Sequence, residues 1–140
     1  MSSPFAVFLK NLRIRSGQRQ HELAKLLGYE QAYISSIELS LKKPSQELLT
    51  KLTSTLMLSE QDQLAMQDAA SQSKRRFILP VEVPTETYQL CNELWAKIDQ
   101  LYPAQIRAIR ELIKIDDQIA DMPRYNTKRI HRKDKEEPKM

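Results

Sequence analysis

Apolar positions in the first half of the chain recur every three or four residues, the spacing of amphipathic helices. Between residues 5 and 14, Phe5, Phe8, Leu9, Leu12 and Ile14 are read as one side of a helix, with Pro4 suited to its first turn and Ser16-Gly17 at its end. Residues 19 to 27 place Leu23, Leu26 and Leu27 on one face with Ala24 beside them, and Gly28 follows where a helix needs a left-handed stop. Over 30 to 38 the inward side is Ile34 and Ile37, and Lys42-Lys43-Pro44 then breaks the run. Ser45 caps a helix predicted over 46 to 57 with Leu48, Leu49, Leu52 and Leu56, and Ser59 to Asp62 cap a fifth through about Ser73.

The period changes after that point. Residues 74–84, KRRFILPVEVP, carry two prolines in a β-favouring stretch, so they cannot continue a helix and are expected as an extended linker or arm. Thr85 then caps a strong helical pattern to about Leu101, and Pro103 opens another to Ala120, which together predict a helical hairpin over 85–122. Residues 123–140 are charge-rich with almost no apolar content and are expected to be a disordered basic tail. The fold class is all-α.

Composition narrows this picture. Only Gly17 and Gly28 are glycine among 140 residues, which argues against Gly-rich phosphate loops and turn-dense sandwiches. No apolar run approaches the ~18 residues of a membrane span, and the first residues lack a secretion pattern, so a soluble, cytoplasmic protein is expected. The single cysteine, Cys91, cannot form an internal disulfide, in keeping with a reducing compartment. The net charge is only +4, but it is distributed as +4 over residues 1–45, 0 over 46–79, −4 over 80–122 and +4 over 123–140. A basic front points to a polyanion, and the acidic section to another task.

The densest motif is QHELAKLLGYEQAYISSIEL, Gln20 to Leu39, two short helices joined at Gly28. With Arg13 and Gly17 before it and Lys43-Pro44-Ser45 after it, residues 5 to 70 resemble helix-turn-helix regulators of the xenobiotic-response-element type, similar to lambdoid repressors and Cro. The spacing has physical reasons: Ala24 is small where two helices cross, Gly28 supplies the turn, and Leu23, Leu27, Ile34 and Ile37 fasten the pair to a core. Such a unit lays its second helix in the DNA major groove. With Ile34 and Ile37 inward, the outward arc is Ala32, Tyr33, Ser35, Ser36 and Leu39, and Gln31 projects from the leading end. Gln31 can pair with adenine, Ser36 can contact several bases and Ala32 can touch a thymine methyl, so an A·T-leaning site is expected. Phosphate contacts are expected from Arg19, Gln20, Lys42 and Lys43. The resemblance implies that Gln20 and the two lysines stand at phosphate-binding positions, and that Arg13 and Glu38 form a partly buried ion pair. One departure is Ser40, where the family usually has glycine.

In the second half, Tyr88, Cys91, Leu94, Trp95 and Ile98 belong to an apolar arc wider than one partner helix can bury; the next helix, with Ile109 and Ile113, supplies one partner, and the same helices of a second subunit supply the other. Dimerisation through these residues is expected, because two-fold DNA sites call for two-fold proteins. His21 and His131 lack a second ligand at metal spacing, Asp116-Asp117 reads as the wet side of the last helix, and Cys91 reads as packing. No enzyme, metal or cofactor is expected. The reading is a DNA-binding repressor acting as a homodimer. The alternatives are an antitoxin holding a toxin through its carboxy-terminal part, or an interaction adaptor whose acidic section over 80–122 is the working surface.

Overall fold

Ser3, Ser45 and Ser59 each stand in extended backbone and accept a hydrogen bond from a backbone N–H three residues on, the capping that starts a helix. The computed structural model describes residues 2–116, and among these it forms seven helices and no strand. They are α1 Pro4–Arg15, α2 Gln20–Leu27, α3 Gln31–Glu38, α4 Gln46–Thr55, α5 Glu60–Ser71, α6 Thr85–Ala96 and α7 Pro103–Ile113. The described residues divide into two units, the first ending at Phe77 and the second beginning at Ile78. The expected tail at 123–140, and the last turns of the helix drawn to Ala120, lie outside the described residues.

The first unit holds α1 to α5 around a core of Phe5, Leu9, Leu23, Ile34, Ile37, Leu48, Leu52 and Met66, all fully buried. Each such side chain contributes roughly 1.5–3 kcal/mol of transfer free energy, an upper bound because the unfolded chain already hides part of it. Ala24 is 1% exposed where α2 packs on α3. Two residues expected on inward faces are not there: Ile14 is 58% exposed and Leu26 is 51% exposed. At ~100° per residue, nine positions carry Ile14 half a turn away from Phe5. Leu26 in the same way lies outside the arc that Leu23, Ala24 and Leu27 define.

Helix ends in this unit share one device. After α1, α2, α3 and α4 a residue with positive φ stands at Gly17 (69°), Gly28 (79°), Ser40 (63°) and Met57 (48°). At the end of α3 the Ser40 N–H donates to the Ile37 carbonyl at 3.0 Å and the Leu41 N–H to the Ser36 carbonyl at 2.9 Å, the paired bonds of a left-handed helix stop. The α2 end is alike, with Gly28 N–H on Lys25 and Tyr29 N–H on Ala24.

In the second unit, α6 and α7 bury none of their residues. Both are shorter than expected. Instead of running to Leu101, α6 ends at Ala96, and i to i−3 bonds carry the chain through a turn, Lys97 N–H to Leu94 at 3.1 Å and Ile98 N–H to Trp95 at 3.3 Å. Tyr102 caps α7 in extended backbone, the conformation that a following proline enforces. The α7 helix tightens in the same way after Ile113, short of Ala120. No helix among the described residues is long and apolar enough to cross a membrane.

Candidate nucleic-acid interface

Glu38 closes α3 from the inside. Its carboxylate accepts Arg13 Nε at 2.8 Å on Oε2 and Arg13 Nη2 at 3.1 Å on Oε1, the two-pronged geometry that a guanidinium and a carboxylate share. Arg13 Nη1 donates to the Gln18 carbonyl at 2.9 Å, and Gln20 Nε2 donates to Glu38 Oε1 at 3.4 Å. The two charged side chains are only 13% and 4% exposed. Removed from water, each charge depends on its partner, so α1, the turn before α2 and the end of α3 are fixed to one another. The Gln20 side chain thus faces this clasp, where a phosphate contact alone was expected of it.

The opposite side of α3 is more closed than the sequence predicts. Gln31 and Ala32 are exposed at its leading end, where base edges would lie. Tyr33, expected on the open arc, is half-buried instead: its ring lies 4.6 Å from that of Tyr29, and its hydroxyl is 3.3 Å from Ser45 Oγ. Sequence spacing gave its direction but not the neighbouring ring that covers it. Ser35 and Ser36 are also half-buried. Ser36 Oγ donates to the Tyr33 carbonyl at 2.6 Å, which leaves its lone pairs to accept from a base. Leu39 is 64% exposed.

Basic groups flank this helix. Arg19 is exposed at the start of α2, where its backbone N–H donates to Glu22 Oε1 at 3.1 Å. Lys42 and Lys43 are exposed in the loop after α3, and the Lys42 ammonium lies 5.8 Å from the Tyr33 ring centroid. The Lys42 N–H donates to the Ser36 carbonyl at 3.3 Å, so the loop folds back on α3. A helix with a polar leading end, a cationic loop behind it and backbone N–H groups at the start of its neighbour suits the acidic, regularly spaced phosphates of a duplex.

Several supporting residues carried no clear sequence signal. Arg15 Nη2 meets Asp62 Oδ2 at 2.9 Å and ties α1 to α5. Lys51 pairs with Glu47 at 3.0 Å and sits 4.3 Å from the Tyr29 ring centroid; its hydrogen bond with Glu47 holds the ammonium pKa above its ordinary value. Ser40 stands out in the sequence only as a departure from glycine, yet its hydroxyl accepts the Ser3 N–H at 2.8 Å.

In the second unit, Tyr88, Cys91, Trp95, Ile98 and Ile113 are exposed, while Leu94 and Ile109 are half-buried. His21 is exposed, and His131 lies outside the described residues. No group of three or more metal-ligating side chains forms among the described residues.

Residues 4–66 match the family model of a helix-turn-helix domain. Neither the curated proteins nor the solved structures returned a match to the chain. The matched span begins with α1, includes the Arg13–Glu38 clasp and ends within α5. The amino-terminal unit of this chain belongs to the helix-turn-helix family of DNA-binding domains.

Proposed function

We propose that the protein is a sequence-specific transcriptional regulator that binds an inverted repeat as a dimer and represses by occupying a promoter. The observation that carries this reading is the state of α3, clasped from behind by Arg13 and Glu38 while Gln31 and Ala32 stay exposed in front and Lys42 and Lys43 flank it. A helix held in one orientation reads base edges reproducibly, since the ordering is done before DNA arrives. Arg19 and the two lysines would hold phosphates, and Gln31, Ala32, Ser35 and Ser36 would meet bases. Tyr33 would brace the helix.

Dimerisation would fall to the second unit, which leaves Tyr88, Trp95, Ile98, Leu112 and Ile113 exposed. The same exposure favours a second reading, in which that surface holds a toxin and the chain is its antitoxin. Selection of bound duplexes from a random pool by the full chain tests the main reading. It should enrich an inverted repeat with half-sites about one turn, ~34 Å, apart. Recovery of unrelated sequences would overturn it, and a single half-site with a monomer in sedimentation would favour the antitoxin.

A further inference from the structure

The start of α1 draws together two distant stretches of chain. The Ser3 N–H donates to Ser40 Oγ at 2.8 Å, and the Phe5 N–H donates to Ser73 Oγ at 2.8 Å. Ser73 donates onward to the Ala69 carbonyl at 2.7 Å, so its hydroxyl is held from both sides. Two serines that bind backbone groups only two residues apart must themselves be close. The end of α5 is therefore fixed beside the loop that carries Lys42 and Lys43. A cavity of about 40 Å³ marks the join, with Ser3, Ser40, Lys42, Lys43, Ser73 and Arg75 in its wall.

Lys74, Arg75 and Arg76 leave from this point, and all three are exposed. The Lys74 ammonium lies 5.3 Å from the Phe77 ring centroid, a cation–π contact between two exposed side chains. Together with Lys42 and Lys43 they make five cations, while residues 39–46 and 69–81 contain no Asp or Glu. Clustered like charges at a surface raise the free energy of the isolated unit and are relieved by a polyanion that spans them. Two adjacent arginines add planar donors that match phosphate oxygens two at a time. A phosphodiester backbone that reaches Lys42 and Lys43 would continue onto this segment.

We propose that Lys74, Arg75 and Arg76 are a second phosphate-binding segment, extending the contact made by the loop after α3 along the same duplex. The inference rests on the DNA-binding reading above. It assigns to the segment after α5, which the sequence marks only as a linker or arm, part of the affinity for DNA and none of the sequence choice.

The test compares the full chain with its K74Q/R75Q/R76Q and K42Q variants on one duplex taken from the selected pool, measuring affinity from 0.05 to 0.3 M salt. Each lost phosphate contact lowers the slope of log affinity against log salt by ~0.9, so the triple variant should lose about 2–3 in slope and K42Q about 1. Near 0.1 M salt the triple variant should bind roughly a hundredfold more weakly, with unchanged preference among sequences. R75K/R76K should restore the slope, which a merely structural role would not require. If the triple variant melts early, R75Q and R76Q taken singly should each lower the slope by about 1. A triple variant that keeps the steep slope of the wild type would overturn the proposal while leaving DNA binding intact. A wild type that binds no duplex would overturn the DNA reading itself.

Discussion

Glu38 is an acid on the helix that would enter a groove lined by phosphates, and it is tolerable there because it is turned away. With three side-chain hydrogen bonds from Arg13 and Gln20 and a side chain 4% exposed, it acts inside the domain. Removing one partner of a buried pair costs ~3–5 kcal/mol, and Arg13 is a little more open, so Glu38→Ala should lower unfolding stability by about 2–4 kcal/mol in a denaturant titration. Replacing both residues should cost less than the sum of the single changes. The family resemblance made Arg13 and Glu38 legible as a pair; nothing in the spacing marked Gln20 as their third member. The same limit applies to Tyr33, whose outward phase on α3 was readable while its contact with the Tyr29 ring was not. Base reading and phosphate holding separate at this scale too. Gln31→Ala should cost about 1–3 kcal/mol on the best site and relax one base pair, whereas Lys42→Ala should weaken all sequences alike. Binding profiles of the two variants against a library of altered sites distinguish these outcomes.

At the level of elements, helix stops divide into those the residue type announces and those it does not. Gly17 and Gly28 occupy left-handed backbone where a side chain would be strained, and both were legible. Ser40 and Met57 occupy the same conformation with φ of 63° and 48°, at the cost of a Cβ that crowds the next carbonyl. Met57 is 85% exposed, so Met57→Gly removes strain and little else. It should raise stability by about 0.5–1 kcal/mol, visible as a higher melting temperature. Ser40→Gly should gain less or lose, because the Ser3 N–H would lose its acceptor. A larger gain from Ser40→Gly than from Met57→Gly would show that the hydroxyl bond contributes nothing. Helix phase was legible for the core at Leu23, Leu27, Ile34 and Ile37, but not for Ile14 and Leu26, which are apolar in type yet lie off the inward arc. The apolar pattern overruns the ends of α6 and α7 for a related reason: residues such as Ile98 continue it through a turn that is closed by i to i−3 bonds.

Across the molecule, all the fully buried side chains among the described residues belong to the first unit, while α6 and α7 leave theirs exposed or half-buried. This asymmetry is what a division between a self-sufficient DNA-binding domain and a partner-seeking segment predicts. A fragment of residues 1–77 should fold, sediment as a monomer and bind the selected repeat ~10²–10⁴-fold more weakly than the full chain, since the second half-site would lose its high effective concentration. A fragment that stays dimeric and binds like the full chain would move the dimer contact into the first unit. The change of period at residues 74–84 and the charge pattern suggest this division in the sequence; the phosphate contact proposed for Lys74 to Arg76 has no such signal, because it depends on Ser73 and Ser40 both bonding to the start of α1. Whether the first unit reads duplex DNA by sequence can be decided in a single titration. Affinity of the full chain for its selected site and for a scrambled duplex of equal length should differ by ~10³-fold or more at physiological salt, and both should fall steeply as salt rises. Equal affinities for the two duplexes, or a flat response to salt, would contradict it.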